Sequence, residues 1–271
     1  MKAIRQHPPG GPASLVYEEV ETPEPGPGEA LIRVHAAAIT RDELDWASDR
    51  LPAIPSYELS GVVASVGPDA DVAVGDEVYA LADFDRDGAA AEYAVVHAEL
   101  LAPKPSNLDH VESAAIPLAG LTAWQGLFVQ GELEKGQRVL IHGATGGVGH
   151  FAVQLARSRG ADVAAAFEEV DGHVDLVFDT AGGERLERSP AFLRPGGRLV
   201  SVAAEPPSAL GITSVYFVVE PSREQLVELA GLADRGELRP TVAGVFELAG
   251  AREAFEQLEH RPRGKIVLRV V

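Results

Sequence analysis

Cysteine is missing altogether from the 271 residues. Its absence excludes disulfides and every thiolate metal site together. Cations are scarce as well: 23 Lys and Arg stand against 41 Asp and Glu, a net charge of −18. A surface of that sign repels phosphate, so neither nucleic acid nor anionic membrane is expected as a partner. No apolar run approaches the ~18 residues that a membrane span needs. The N-terminus carries prolines and charges where a secretory leader would carry an apolar core, so the expected address is cytoplasmic. What is present is a chain 46% apolar, long enough for one or two domains with a sizeable core.

The first hundred residues are short apolar stretches divided by Pro and Gly. Strands are predicted over residues 1–4, 16–20, 29–39, 59–66, 76–81 and 89–96, with turns at 8–12, 23–28, 67–69 and 74–76. Such spacing describes a small β-barrel or sandwich, not a parallel sheet. The pattern changes near residues 106–109. Residues 111–130 are rich in Ala and Leu at helical spacing, broken by Pro117. From Gln137 onward strands and helices alternate, over 139–141, 152–158, 162–166, 174–179, 186–193 and 198–202, which argues for a doubly wound parallel sheet. Helices over 221–233, with Ser222 as N-cap, and over 249–258 precede a last strand at 265–270.

The chain is organised around residues 139–149, Val-Leu-Ile-His-Gly-Ala-Thr-Gly-Gly-Val-Gly. A short apolar strand runs into a turn of small residues and then into a helix ending at Gly160. Ala144, Gly146 and Gly149 occupy the three small-residue positions of a G-x-G-x-x-G fingerprint, Ala replacing the first Gly. The first position makes the tight turn, the second admits a pyrophosphate to the backbone, and the third lets helix and strand pack. Thr145, Gly147 and Val148 complete the loop, whose N–H groups at a helix start suit phosphate. A glycine turn that merely packs is the alternative.

Residues 114–124, Ala-Ala-Ile-Pro-Leu-Ala-Gly-Leu-Thr-Ala-Trp, preceding this turn resemble the medium-chain dehydrogenase/reductase superfamily. The lack of cysteine places the chain beside its zinc-free, zeta-crystallin-like quinone oxidoreductases. Further matching stretches are 60–63, 74–79, 90–93, 175–183, 193–200 and 264–268, in the right order over nearly the whole chain. The resemblance implies a GroES-like, partly open β-barrel domain from residues 1–121 and 250–271. It implies a Rossmann domain from 122–249, an active cleft at their seam, and usually a homodimer. It also implies NADPH-dependent reduction of a quinone, enone or related activated carbonyl. Zinc-binding relatives carry His-Glu where this chain has Tyr57-Glu58, so no metal is expected.

Two departures stand out. Only residues 167–173 separate the strand ending near Ala166 from the one starting at Val174, where a full fold of this class spends roughly 30 residues. One edge of the sheet is therefore expected to be missing, on the side where the cofactor's adenosine end rests. The loop between Asp45 and Tyr57 is also short. For the cofactor, family resemblance favours NADPH. Charge favours NADH: Glu168 and Glu169 lie about 20 positions past the glycines, and no cation occurs between Arg159 and Arg185. A solvated turn is the plainer account of those two glutamates.

A nicotinamide reductase needs position more than acid–base apparatus, plus a hydroxyl near the substrate oxygen. By resemblance Thr122 lies against the nicotinamide, or it is a helix hydroxyl bonding its own backbone. Tyr57 is the candidate proton donor, or a barrel-rim tyrosine. Thr40, Asp42 and Asp45 loosely match a stretch where relatives carry an Asn-and-Asp pair; Thr40, Asp45 and Trp46 are the substrate-side candidates. Thr180, Ala181, Val202 and Ala203, at strand ends, are expected beside the cofactor. By resemblance to relatives Lys265 is expected to reach cofactor phosphate or ribose, or else it is an exposed lysine on a terminal strand. Residues 215–219 are β-branched and aromatic; the resemblance implies a strand that extends the sheet across a dimer interface, and a buried internal strand would look the same. The eight histidines lack metal-ligand spacing; His150, opening the helix near the phosphates, is the one of interest. A rival reading is a shortened relative that kept the fold but works without nucleotide, binding a small molecule or catalysing a redox-neutral cyclisation.

Overall fold

The computed structural model describes every residue except 47, 48 and 210, so the expected shortness of the loop between Asp45 and Tyr57 lies partly outside the described residues. The chain forms two compact units. The first comprises Met1–Leu118, Pro221–Gly236 and Pro240–Val271; the second comprises Ala119–Glu220 and Glu237–Arg239.

The first unit opens with an antiparallel hairpin of β1 (Lys2–Gln6) and β2 (Leu15–Glu19). β3 (Glu29–Ile39) is its longest strand, and its last four residues are all buried. A one-turn α1 (Glu43–Trp46) follows, then β4 (Glu58–Val66), β5 (Glu77–Leu81), β6 (Tyr93–His97) and β7 (Ala102–Pro103). The strand predicted over 89–96 is thus confined to its C-terminal part. Residues 88–90 donate instead to the carbonyls of Ile54, Ser56 and Pro55, a turn-like path beside the sheet. Helix α2 (His110–Ala114) begins at a capping box in which Asp109 accepts from the Glu112 N–H and Glu112 accepts from the Asp109 N–H.

α3 (Pro117–Trp124) continues as a π-helical turn, Gln125–Gln130, and leads into the second unit. That unit holds β8 (Arg138–His142), α4 (Gly149–Ser158), β9 (Asp162–Ala164), β10 (Val174–Asp179), α5 (Glu184–Arg188), β11 (Leu193–Ser201) and β12 (Thr213–Tyr216). All pairings are parallel, in the order β12-β11-β10-β8-β9. β8 and β10 are central and covered on both faces, which is why their sequences read as near-continuous apolar runs. Leu140, Val177, Leu186, Leu193 and Leu199 form the core on one side. β11 starts five residues before the predicted 198, because Pro195-Gly196-Gly197 shifts its register against β10 between Val174 and Leu176.

Among the described residues no strand lies beyond β9, as the short connection predicts. Between β9 and β10 there is only a 3-10 turn, Phe167–Glu169. Phe167 covers the sheet there: its ring stacks on Phe192 (centroids 4.3 Å apart) and meets His142 edge-on (4.9 Å). Arg138 fastens the connection by donating to the carbonyls of Glu169 (2.7 Å) and Asp171 (2.8 Å).

The chain then returns to the first unit with α6 (Arg223–Asp234), β13 (Val242–Glu247), α7 (Ala251–Leu258) and β14 (Lys265–Arg269). Ser222 caps α6 as expected, accepting from the Gln225 N–H at 3.3 Å. α6 and β13 fall in the first unit, whereas the sequence reading put 122–249 together. Tyr79 shows why: its buried hydroxyl donates to the Leu226 carbonyl, and β13 pairs with β14. The sheet runs β13-β14-β3-β4-β5-β7, with β6 also on β3, so the C-terminal strand is built into this sheet between β13 and β3. Among the described residues no helix is long and apolar enough to cross a membrane.

Candidate functional site

The second unit provides a crevice by topology alone. The chain leaves β8 toward β9 on one side and β10 lies on the other, so the loops after β8 and β10 diverge at the C-terminal ends of the strands. The tight turn after β8 is made by Gly143 (φ 77°), one residue earlier than the fingerprint placed it. A side chain there would collide with the Thr180 hydroxyl, and a Cβ on Gly149 would collide with the Gly143 carbonyl. Gly146 donates to the Gly143 carbonyl at 2.8 Å, which curls the loop. α4 has no side-chain N-cap, and the Gly147 and Val148 N–H groups meet no acceptor among the described residues. His150 is turned back, with Nδ1 2.9 Å from the Gly146 carbonyl. A pyrophosphate fits this cradle: donors lack partners, and close approach is secured by missing side chains.

The opposite wall is built by two residues that sequence reasoning did not single out. Asp179, fully buried at the end of β10, accepts from the Ser201 hydroxyl (2.9 Å) and the Gly182 N–H (3.0 Å). Ser201 in turn accepts from the Ala203 N–H at 3.1 Å. These bonds shape the loops carrying Thr180, Ala181, Val202 and Ala203. Thr180 also donates to the His142 carbonyl at 2.7 Å, tying the ends of β8 and β10. A polar residue closing an apolar strand was the available signal, at Asp179 and again at Ser201. Below them His142 is buried and held below the ordinary histidine range by that burial. Its Nε2 lies 2.9 Å from Ser189 Oγ, whose own proton goes to the Arg185 carbonyl, so Nε2 donates. Thr122, on α3, is 4% exposed.

The first unit contains a buried charged cluster. Lys265 and Glu58 form an ion pair with side chains 5% and 0% exposed. Lys265 also donates to the Thr40 hydroxyl at 2.9 Å, and Glu58 accepts from the Leu118 N–H at 3.0 Å. Glu43 lies nearby with both oxygens engaged, by Thr40 N–H (2.9 Å) and Ser56 N–H (3.1 Å). Burial pushes Glu43 up to about 8, against the pull of Lys265 and those N–H groups. Ser56 holds φ 69°, a left-handed conformation that favours glycine, locked by its hydroxyl on the Ala38 carbonyl.

This cluster changes the reading of Lys265. It is not an exposed lysine: its ammonium donates to Glu58 and Thr40. The same residues do not suit a zinc ion, because Lys265 takes the Glu58 carboxylate and the other side chains here, the Thr40 hydroxyl and the Tyr57 phenol, are not the Cys, His or carboxylate ligands that zinc prefers. Tyr57 has no exposed surface; its ring contacts Phe84 and Trp46 at centroid distances of 5.4 and 5.9 Å. Burial raises its phenol above the usual range, and Arg50 Nη2 stands 3.5 Å from its oxygen. Asp45 and Trp46 are exposed on α1 and Thr40 half-buried before it, so Thr40 joins the cluster and the other two do not.

Comparison with known proteins agrees with this architecture. Residues 26–106 match the alcohol dehydrogenase GroES-like domain family and residues 152–268 the zinc-binding dehydrogenase family. A probable zinc-binding mitochondrial oxidoreductase of Arthroderma benhamiae is 30% identical, covering 100% of this chain and 97% of that protein. That match runs over 320 residues against this chain's 271, so the relative carries segments that this chain lacks. The chloroplastic NADPH-dependent alkenal/one oxidoreductase of Arabidopsis thaliana is 31% identical over 96% of this chain and 77% of its own length. The solved quinone oxidoreductase of Coxiella burnetii superposes with a TM-score of 0.90 at 29% identity, covering 100% of this chain and 99% of that one. A GroES-like unit, a five-stranded parallel Rossmann sheet and end-to-end similarity to such enzymes together establish that this chain belongs to the medium-chain dehydrogenase/reductase family, among its quinone and alkenal oxidoreductase relatives.

Proposed function

We propose that this protein is a zinc-independent oxidoreductase that reduces a quinone, enone or related activated carbonyl with a reduced nicotinamide dinucleotide. The observation that carries the reading is the cradle after β8: unpartnered Gly147 and Val148 N–H groups, beside glycines whose side chains would block approach. When bound, the reduced nicotinamide supplies the hydride; the chain supplies position and exclusion of water. Ala144, Thr145, Gly146 and Gly149 complete the pyrophosphate seat. Thr180, Ala181, Val202 and Ala203 line the nicotinamide side, held by the Asp179–Ser201 pair.

For the proton, the reading retains Tyr57 and Thr122 as hydroxyl donors. Tyr57 remains protonated well past neutrality because burial raises it, which a donor requires. Thr40, Asp45 and Trp46 are assigned to the substrate side, and Lys265 enters through Thr40, whose oxygen it holds. Tyr216, exposed on the edge strand β12, and Val218 just beyond its end suit pairing of β12 with a second copy.

The test is turnover with NADPH or NADH against a panel of quinones and enones, followed by loss of reduced nicotinamide. Oxidation of either nucleotide that depends on an acceptor is expected. The short β9–β10 connection motivates the rival reading, a redox-neutral catalyst or small-molecule binder. Absence of both turnover and nucleotide-dependent quenching of tryptophan fluorescence would favour that rival.

A further inference from the structure

We infer that Glu169 sets nucleotide preference toward NADH, by fixing a carboxylate where the 2′-phosphate of NADPH would have to lie. The inference rests on the nucleotide-dependent reading above. It departs from the NADPH expectation that family resemblance carries.

In a dinucleotide-binding sheet the adenosine ribose lies at the C-terminal end of the second strand, and the group found there reads the 2′ position. The second strand here is β9, and the first residue beyond it is Ala165, whose methyl side chain cannot hydrogen-bond a ribose. The Ala165 N–H donates to Glu169 Oε2 at 2.7 Å. The shortened connection thus folds back by one 3-10 turn and returns a carboxylate to the mouth of the strand. One carboxylate oxygen is spent on that N–H, and the other is left to accept from ribose hydroxyls.

Two arginines packed against this connection have other partners. Arg138 donates to the Glu169 and Asp171 carbonyls and pairs with Asp162 at 3.0 Å. Arg188 lies over the Phe167 ring at 4.9 Å and pairs with Glu184 at 3.6 Å. Glu168, also exposed on the turn, adds charge of the same sign. A phosphate carrying nearly two negative charges meets repulsion at this spot.

The experiment is calorimetric titration of the intact protein with NADH, NADPH, ADP-ribose and 2′-phospho-ADP-ribose. The wild-type protein is expected to bind NADH about tenfold or more tightly than NADPH, with the same order for the two fragments. Glu169→Gln keeps an oxygen for the Ala165 N–H and removes only the charge. It is expected to raise NADPH affinity about tenfold while NADH affinity stays within about threefold. Glu168→Gln, the control, is expected to move the ratio less than about threefold. Wild-type preference for NADPH, or a ratio unmoved by Glu169→Gln, overturns the inference and leaves the reductase reading standing. Heat with none of the four ligands overturns both. The wild-type fragment comparison decides the matter even if the variant fails to fold.

Discussion

Lys265 reaches from the last strand to Glu58 on β4, and this ion pair is shut inside the first unit with its side chains 5% and 0% exposed. Removing one partner of such a pair strands the other charge. Lys265→Met is expected to cost about 3–5 kcal/mol of stability, whereas Glu58→Gln with Lys265→Met together recovers most of that loss. Denaturant unfolding of the two singles and the double gives the coupling. Additive losses would show that the two charges do not depend on one another.

The same unit carries opposed titrations. Glu43 is raised from 4.5 to about 8 by burial, so its contribution to stability is complete below 4.5 and is lost as pH rises through about 8. His35 and His110, stacked at 4.3 Å, are both held below 6.5 by burial. Their contribution is complete above 6.5 and is lost as pH falls through their lowered values. His110 faces Ser60 at 2.8 Å and Glu77 at 3.4 Å, so its loss is softened by a carboxylate. Unfolding midpoints measured across pH are expected to peak in the histidine range. Glu43→Gln flattens the alkaline side only; an unchanged alkaline slope in that variant contradicts the assignment.

The glycines after β8 separate packing from binding. Gly149→Ala drives a methyl into the Gly143 carbonyl and is expected to cost about 1–3 kcal/mol. At Gly146 the methyl would stand 3.2 Å from the same oxygen, a tight but adjustable contact. Gly146→Ala is therefore expected to keep the thermal midpoint close to wild type while weakening nucleotide binding about tenfold or more. Equal loss of stability in both variants would remove the distinction.

Phe167 does the work of the absent edge. With Phe192, His142 and Arg188 around its ring, Phe167→Ala is expected to destabilise the second unit by about 2–3 kcal/mol. Hydrogen exchange read at β8 to β10 locates the loss. Protection unchanged there would mean that the short crossover needs no aromatic plug.

These particulars show what the chain discloses in one dimension. The apolar runs of β8 and β10 and the short spacer before Val174 were legible, because burial on both faces and chain length leave direct marks. The capping of α6 by Ser222 was legible for the same local reason. What was hidden depends on distant partners. Lys265 read as a terminal-strand cation, since nothing near it in sequence announces Glu58. Asp179 and Ser201 are unremarkable until two parallel strands put them side by side. The Gly143 turn was misplaced by one residue, because the fingerprint counts small residues whereas the turn is set by which one takes a positive φ.

The central claim is a pyrophosphate held by backbone N–H groups in a sheet that has lost an edge strand. Calorimetric titration of the wild-type protein with NADH and NADPH tests it most directly. Saturable binding of at least one of them at a single site per chain is the predicted result. No heat with either nucleotide, from protein shown to be folded, would contradict the account.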